Sequence, residues 1–163
     1  MHLIMALVRE PMTPEGYEKL QREIEQIKSV ERPRNIKAIE EARAHGDLSE
    51  NADYDAAKNE QGLIQARLKL AEDKLSRAEV IDPKTLSGRT VMFGATVTLI
   101  DVETEDKVTY KLVGSHEADL KHKSISIESP IGKSLIGKSE GDEVAVKTPG
   151  GSREFSIQSV VYK

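Results

Sequence analysis

The sequence predicts an α+β protein, a long antiparallel helical hairpin followed by a small antiparallel sheet carrying one helix. Three observations predict it. Apolar residues recur three and four apart over the first half, β-branched residues alternate with polar ones over the second, and Ile81-Asp82-Pro83 separates the two patterns. The expected divisions are an N-terminal extension over 1–11, the hairpin over 12–82 and the sheet domain over 83–163.

The first helix opens at Thr13, whose hydroxyl can cap it, with Pro14 at the first helical position, where a missing N–H costs nothing. Tyr17, Leu20, Ile24, Ile27 and Val30 form one apolar stripe, which resumes at Ile36, Ile39 and Ala42. Pro33 interrupts it and should kink the helix or loosen its hydrogen bonding. The second helix is more regular. Ala57, Gln61, Ile64, Leu68, Ala71, Leu75 and Ala78 alternate four and three apart, the seam of a coiled coil. His45-Gly46-Asp47-Leu48-Ser49 breaks the pattern between them, with glycine as the terminator. Two helices joined by so short a loop must lie antiparallel. A helix of about 30 residues at about 1.5 Å each extends roughly 45 Å. With one apolar seam per helix the pair is expected to project as a rod, slim near its end because Ala42, Ala52, Ala56 and Ala57 are small.

After Pro83 the alphabet changes. Alternation predicts strands at Ala95–Ile100, Lys107–Leu112, Glu143–Val146 and Glu154–Ile157, with turns at Gly141-Asp142 and Pro149-Gly150-Gly151. Ser129-Pro130-Ile131 with Leu135-Ile136 reads as a short helix capped by serine.

Composition narrows the chemistry. Of 163 residues 32% are charged and 4% aromatic, with no cysteine and no tryptophan. Disulfides, thiolate nucleophiles and thiolate metal sites are excluded, which fits a reducing cytosol. The net charge of −4 argues against a protein whose main affinity is for nucleic-acid phosphates. No stretch approaches the roughly 18 apolar residues of a membrane span. Met1–Val8 is apolar but lacks a basic start and a small-residue cleavage site. It reads as a loose extension upstream of a natural beginning at Met12, or equally as a short edge strand.

Charge along the hairpin is uneven. Glu40, Glu41, Asp47, Glu50, Asp53, Asp55 and Glu60 crowd its far end, opposed by Arg43 and Lys58, whereas Arg67, Lys69, Lys74 and Arg77 lie nearer the base. Acids at a helix start commonly serve only as caps, worth about 0.3–1 kcal/mol each. Capping leaves the exposure of the tip unexplained. Asp47 and Glu50, three residues apart, make an incomplete site for a hard cation. Mg²⁺ wants about six oxygens and usually takes one or two carboxylates plus phosphate and water. Such a tip would hold the ion poorly alone, and well where a partner and a phosphate complete the shell.

At these residues the chain resembles a known family. Gly46-Asp47-Leu48-Ser49-Glu50-Asn51-Ala52-Asp53-Tyr54, with Ala56-Ala57-Lys58 and Glu60-Gln61, is similar to the tip of the bacterial Gre transcript cleavage factors. Met12-Thr13-Pro14-Glu15-Gly16, Arg32-Pro33, Val91-Met92-Phe93-Gly94, Val113-Gly114, Glu117-Ala118-Asp119, Ser129-Pro130-Ile131, Gly141-Asp142 and Thr148-Pro149-Gly150-Gly151 match in order as well. The resemblance covers the chain from Met12 onward and is closest to the GreA branch.

The resemblance implies a cytoplasmic elongation factor, expected to be a monomer, that enters the secondary channel of bacterial RNA polymerase. There it stimulates cleavage of the backtracked RNA 3′ end, without itself being an enzyme. By analogy Asp47 and Glu50 help hold the polymerase's second Mg²⁺ and the attacking water, with no ion bound by the free chain. Leu48, Ser49, Asn51 and Tyr54 match contact positions around that pair, and Arg43 and Lys58 match basic positions that can meet RNA phosphates or remain solvated charges. The second domain should be FKBP-like, docking on the polymerase through Glu128, Ser129 and Pro130, a segment that is also a simple helix cap. A working prolyl isomerase is disfavoured by the few aromatics after Pro83. An inhibitory relative occupying the same channel remains the alternative, set against the retained Asp-Leu-x-Glu-Asn form. A generic coiled-coil adaptor would have no reason to keep this tip.

Overall fold

The computed structural model describes residues 9–46 and 51–163. The expectations for residues 1–8 and for Asp47, Leu48, Ser49 and Glu50 lie outside the described residues. The chain divides into two compact units, Tyr17–Ala78 and Arg9–Gly16 together with Glu79–Lys163.

The first unit is a helical hairpin. Its first arm runs through α1 (Pro14–Gln26), a π-helical segment (Ile27–Glu31) and α2 (Arg32–Ala44), and its second arm is α3 (Ala52–Arg77). Cross-arm partners descend along α3 as they ascend the first arm, from Lys28–Glu72 and Glu31–Arg67 to Asn35–Ala57, so the arms are antiparallel. The π segment is the loosening expected from Pro33. Proline has no N–H to give, and its ring would meet the carbonyl four residues back, so one turn widens and Arg32 N–H reaches Ile27 O instead.

That wide turn corrects the expected stripe. Leu20, Ile24 and Ile27 are buried as anticipated, and so are Ile39 and Ala42, but with the extra residue of the wide turn it is Asn35, not Ile36, that fills the place between them. Val30 and Ile36, expected in the seam, are 36% and 47% exposed. On α3, which has no such insertion, Ala57, Ile64, Leu68 and Ala71 are buried as the four-three spacing requires. Glu31 takes both guanidinium nitrogens of Arg67, at 2.8 and 3.3 Å. That bond holds the Glu31 carboxyl below its ordinary value against the opposing effect of desolvation.

The second unit is built on a five-stranded sheet of order β5-β4-β3-β7-β6. Its strands are β3 (Ala95–Asp101), β4 (Lys107–Val113), β5 (Ser124–Ser126), β6 (Glu143–Thr148) and β7 (Gly151–Tyr162). All pairs are antiparallel except β4/β5, where the short edge strand runs parallel. Alternating residues of β3, Ala95, Val97 and Leu99, enter a core completed by Leu112, Leu135, Val144, Phe155 and Ile157. The helix α4 (Pro130–Leu135) covers it. At one end of β3, Asp101 is 4% exposed, accepts the Glu103 and Thr104 N–H groups and pairs with Arg153 of β7.

A second, two-stranded sheet joins β1 (Glu10–Met12) to β2 (Ala78–Val80). Glu10 and Pro11, assigned to the extension from sequence, therefore belong to a strand. This pairing also ends α3 earlier than expected. Ala78 turns extended, Ile81 N–H reaches Met12 O at 2.8 Å, and Asp82-Pro83 opens a short 3₁₀ turn instead of closing the helix. Beside β1, Glu117 accepts the Thr13 N–H and hydroxyl and the Gly114 N–H, while Thr13 Oγ1 caps Gly16 N–H at 3.1 Å. A Cβ on Gly16 would lie 2.0 Å from Glu117 Oε1, so this knot requires glycine.

Candidate functional site

At the distal end of the hairpin, α2 stops where glycine permits it to. Gly46 takes φ +108, a region that L side chains avoid, and the His45 and Gly46 N–H groups close on Ala42 and Arg43 carbonyls. The chain re-enters helix at Asn51, whose extended backbone and side-chain oxygen cap α3 by accepting Tyr54 N–H at 3.0 Å. The same amide donates through Nδ2 to the Ala42 carbonyl at 2.6 Å. One side chain thus satisfies an orphan N–H of one helix and an orphan C=O of the other, and clasps the two ends on either side of residues 47–50.

The basic residues divide. Arg43 carries its guanidinium 5.9 Å from the centre of the Tyr54 ring, a cation–π arrangement that holds an exposed charge in place beside the clasp. Lys58 is exposed and bonds Gln61 Oε1 at 2.8 Å on its own helix. Asn51, Tyr54 and Arg43 are therefore brought together, and Lys58 stands one turn further along α3. The small residues Ala38, Ala42, Ala56 and Ala57 leave an open groove on this part of the hairpin, edged by Glu41, His45, Asp53 and Glu60. Asp53 and Asp55 occupy the first turn of α3, where acids complement the helix dipole. Among the described residues no group of three or more acidic or histidine side chains is placed to hold a metal ion.

Sequence reasoning missed Asn35. It is 3% exposed and donates to the Ala57 carbonyl of α3 at 2.9 Å. Counting back four from Ile39 within α2 finds the position; counting on from Ile27 does not, because the π turn puts Asn35 eight residues on rather than seven.

In the second unit Ser129 caps α4. Its hydroxyl accepts Gly132 N–H at 3.0 Å and donates to Ser126 O at 2.6 Å, and Pro130 fills the first helical position. Glu128 is exposed beside this corner, next to a small pocket lined by Glu10, Pro11, Gly114, Ser115, His116 and Ile127. Gly132 is required here too, because a Cβ would meet Ser126 O at 2.1 Å.

Two family models match the chain in order. Residues 10–80 match the N-terminal domain of the transcription elongation factors, and residues 86–162 match the GreA/GreB C-terminal domain. The chain belongs to the GreA/GreB family of transcription elongation factors. A protein of Hyphomonas neptunium named transcription elongation factor GreA is 57% identical over 95% of this chain and 99% of its own length. One of the same name from Rhodospirillum rubrum is 56% identical over 92% of this chain and 96% of its own. The solved structure of GreA factor homolog 1 of Thermus thermophilus is 32% identical, covering 93% of this chain and 98% of that one, with a TM-score of 0.42. The Asn51 clasp, the Arg43–Tyr54 pair and the Ser129 corner are the described features formed by residues singled out from sequence. Among the described residues no helix is long and apolar enough to cross a membrane.

Proposed function

We propose that this GreA-type factor acts in the cytoplasm on bacterial RNA polymerase. It enters the secondary channel and stimulates the polymerase's own endonucleolytic cleavage of the backtracked RNA 3′ end. The observation that carries the reading is the clasp. Family membership supplies the context, and Asn51 ties the two helix ends that flank the segment containing Asp47 and Glu50.

The donor set fits Mg²⁺ as a half-site. Two carboxylates suit a hard cation, and Asp53 and Asp55 in the first turn of α3 add negative charge close by in the sequence. Asp47 and Glu50 would hold the ion only together with polymerase carboxylates and RNA. Mg²⁺ held there would supply Lewis acidity toward an attacking water. The chain's own contribution is to present these carboxylates, to hold Arg43 over Tyr54 where it can meet RNA phosphate, and to dock through the Glu128-Ser129-Pro130 corner. It is a stimulator, with the hydrolytic centre belonging to the polymerase, and it works as a monomer.

The test is to mix the protein with a stalled, backtracked elongation complex and look for 3′-end fragments. Asp47→Ala should keep polymerase binding and lose cleavage. Cleavage at the full rate with Asp47→Ala, or blocked transcription without fragments from the unaltered protein, would overturn the reading in favour of a different tip chemistry or an inhibitory factor.

A further inference from the structure

The distal half of the hairpin has little to set its register. Two of its buried seam residues are alanines, Ala42 and Ala57, whose single methyl groups distinguish poorly between one alignment of the helices and another. In that stretch Asn35 stands alone among the described residues as a buried polar side chain of the hairpin, and it reaches across to the Ala57 backbone. A seven-residue repeat separates it from Ala42, the residue that Asn51 grips from the opposite arm. The two bonds run in opposite senses, one from α2 to α3 and one from α3 to α2. Each fixes sliding of the helices along their axes, because a carbonyl offset by one turn leaves the amide buried and unpaired, at a cost larger than the bond itself contributes.

We propose that Asn35 is a positioning residue for the transcript-cleavage role: it sets the axial register of α2 against α3 and thereby the height at which the acidic segment is presented. The inference rests on the proposed function of that segment for its activity arm only; the register arm stands without it. Slippage by one residue displaces an arm by about 1.5 Å, whereas metal ligands are held to within about 0.2 Å. A buried amide that costs stability can therefore be retained for alignment, as polar seam residues are in other coiled coils.

The experiment uses Asn35→Leu, with Asn35→Ala as a second variant that adds no bulk. The chain has no cysteine, so nitroxide labels can be placed at Lys37→Cys and Lys69→Cys on exposed faces of α2 and α3. The unaltered register should give one narrow distance distribution. Asn35→Leu should broaden it or add a second population while the melting temperature holds or rises. On stalled elongation complexes the maximal cleavage rate should fall roughly tenfold with the half-saturating factor concentration unchanged. An unchanged distance distribution in both variants overturns the proposal, and so does a shifted distribution with full cleavage. If Asp47→Ala also cleaves normally, the reading of the tip fails, and the distance measurement still decides the register.

Discussion

The Asn51 side chain donates to the Ala42 carbonyl across the end of the hairpin at 2.6 Å while its oxygen caps Tyr54 N–H. Replacing it separates the two roles. Asn51→Asp keeps a capping oxygen but loses the donor, and should cost about 1 kcal/mol; Asn51→Ala loses both and should cost about 2 kcal/mol. Urea unfolding followed by helical circular dichroism measures both. Equal losses from the two variants would mean that the bond to Ala42 contributes nothing.

Arg43 rests on the Tyr54 ring. Tyr54→Leu should release it and cost the hairpin about 0.5–1 kcal/mol. In cleavage titrations Arg43→Glu should weaken action on backtracked complexes, Arg43→Lys should retain most of it, and Tyr54→Leu should fall between. Titrations that do not move with Arg43→Glu would remove the phosphate contact.

Acid sensitivity should centre on Asp101. Its carboxyl lies below the ordinary carboxylate value, first because Thr104 N–H bonds it, with Arg153 and Glu103 N–H adding to this against desolvation. A depressed folded-state pKa means stability that is fully present above the unfolded value of 3.8 and lost as pH falls through the lower folded value. Asp101→Asn should lower the melting temperature at neutral pH and flatten its decline on acidification below about pH 5. A decline as steep as that of the unaltered chain would assign acid loss elsewhere, with Glu31 and its Arg67 bond the next candidate.

Gly132→Ala should destabilise the second unit by about 1–3 kcal/mol, since its Cβ would strike Ser126 O and push the Ser129 corner apart. Thermal melting reads the cost. At a temperature where the variant is still folded, polymerase binding should be weaker; unchanged affinity would move docking away from Glu128, Ser129 and Pro130.

How much of this was legible in the sequence depended on whether a feature was local. The α3 seam, the Thr13 and Ser129 caps, the Gly46 stop and the strands around Val97, Tyr110, Val144 and Phe155 all follow from spacing or capping chemistry within a few residues. The strand ending α3 at Ala78 depends on pairing with Glu10–Met12, more than sixty residues away in the chain, and no local pattern reports it. Asn35 stands in the seam eight residues after Ile27 rather than seven because of a widened turn, and proline announces that turn without stating how many residues it adds. Asp47 and Glu50 were legible only as chemistry, from residue type and interval.

The π turn at Ile27–Glu31 gives the first arm two independent phases, which makes the hairpin a ruler with a joint in its scale. Beyond the joint, whole heptads inserted opposite one another in both arms would lengthen the reach by about 10 Å and leave the tip facing nearly the same way. Any other increment turns it by about 100° per residue. Removing one residue from the joint should instead close it to an ordinary α turn, with Asn35 seven residues after Ile27, so that Asn35, Ile39 and Ala42 keep their places in the seam and the tip keeps its direction.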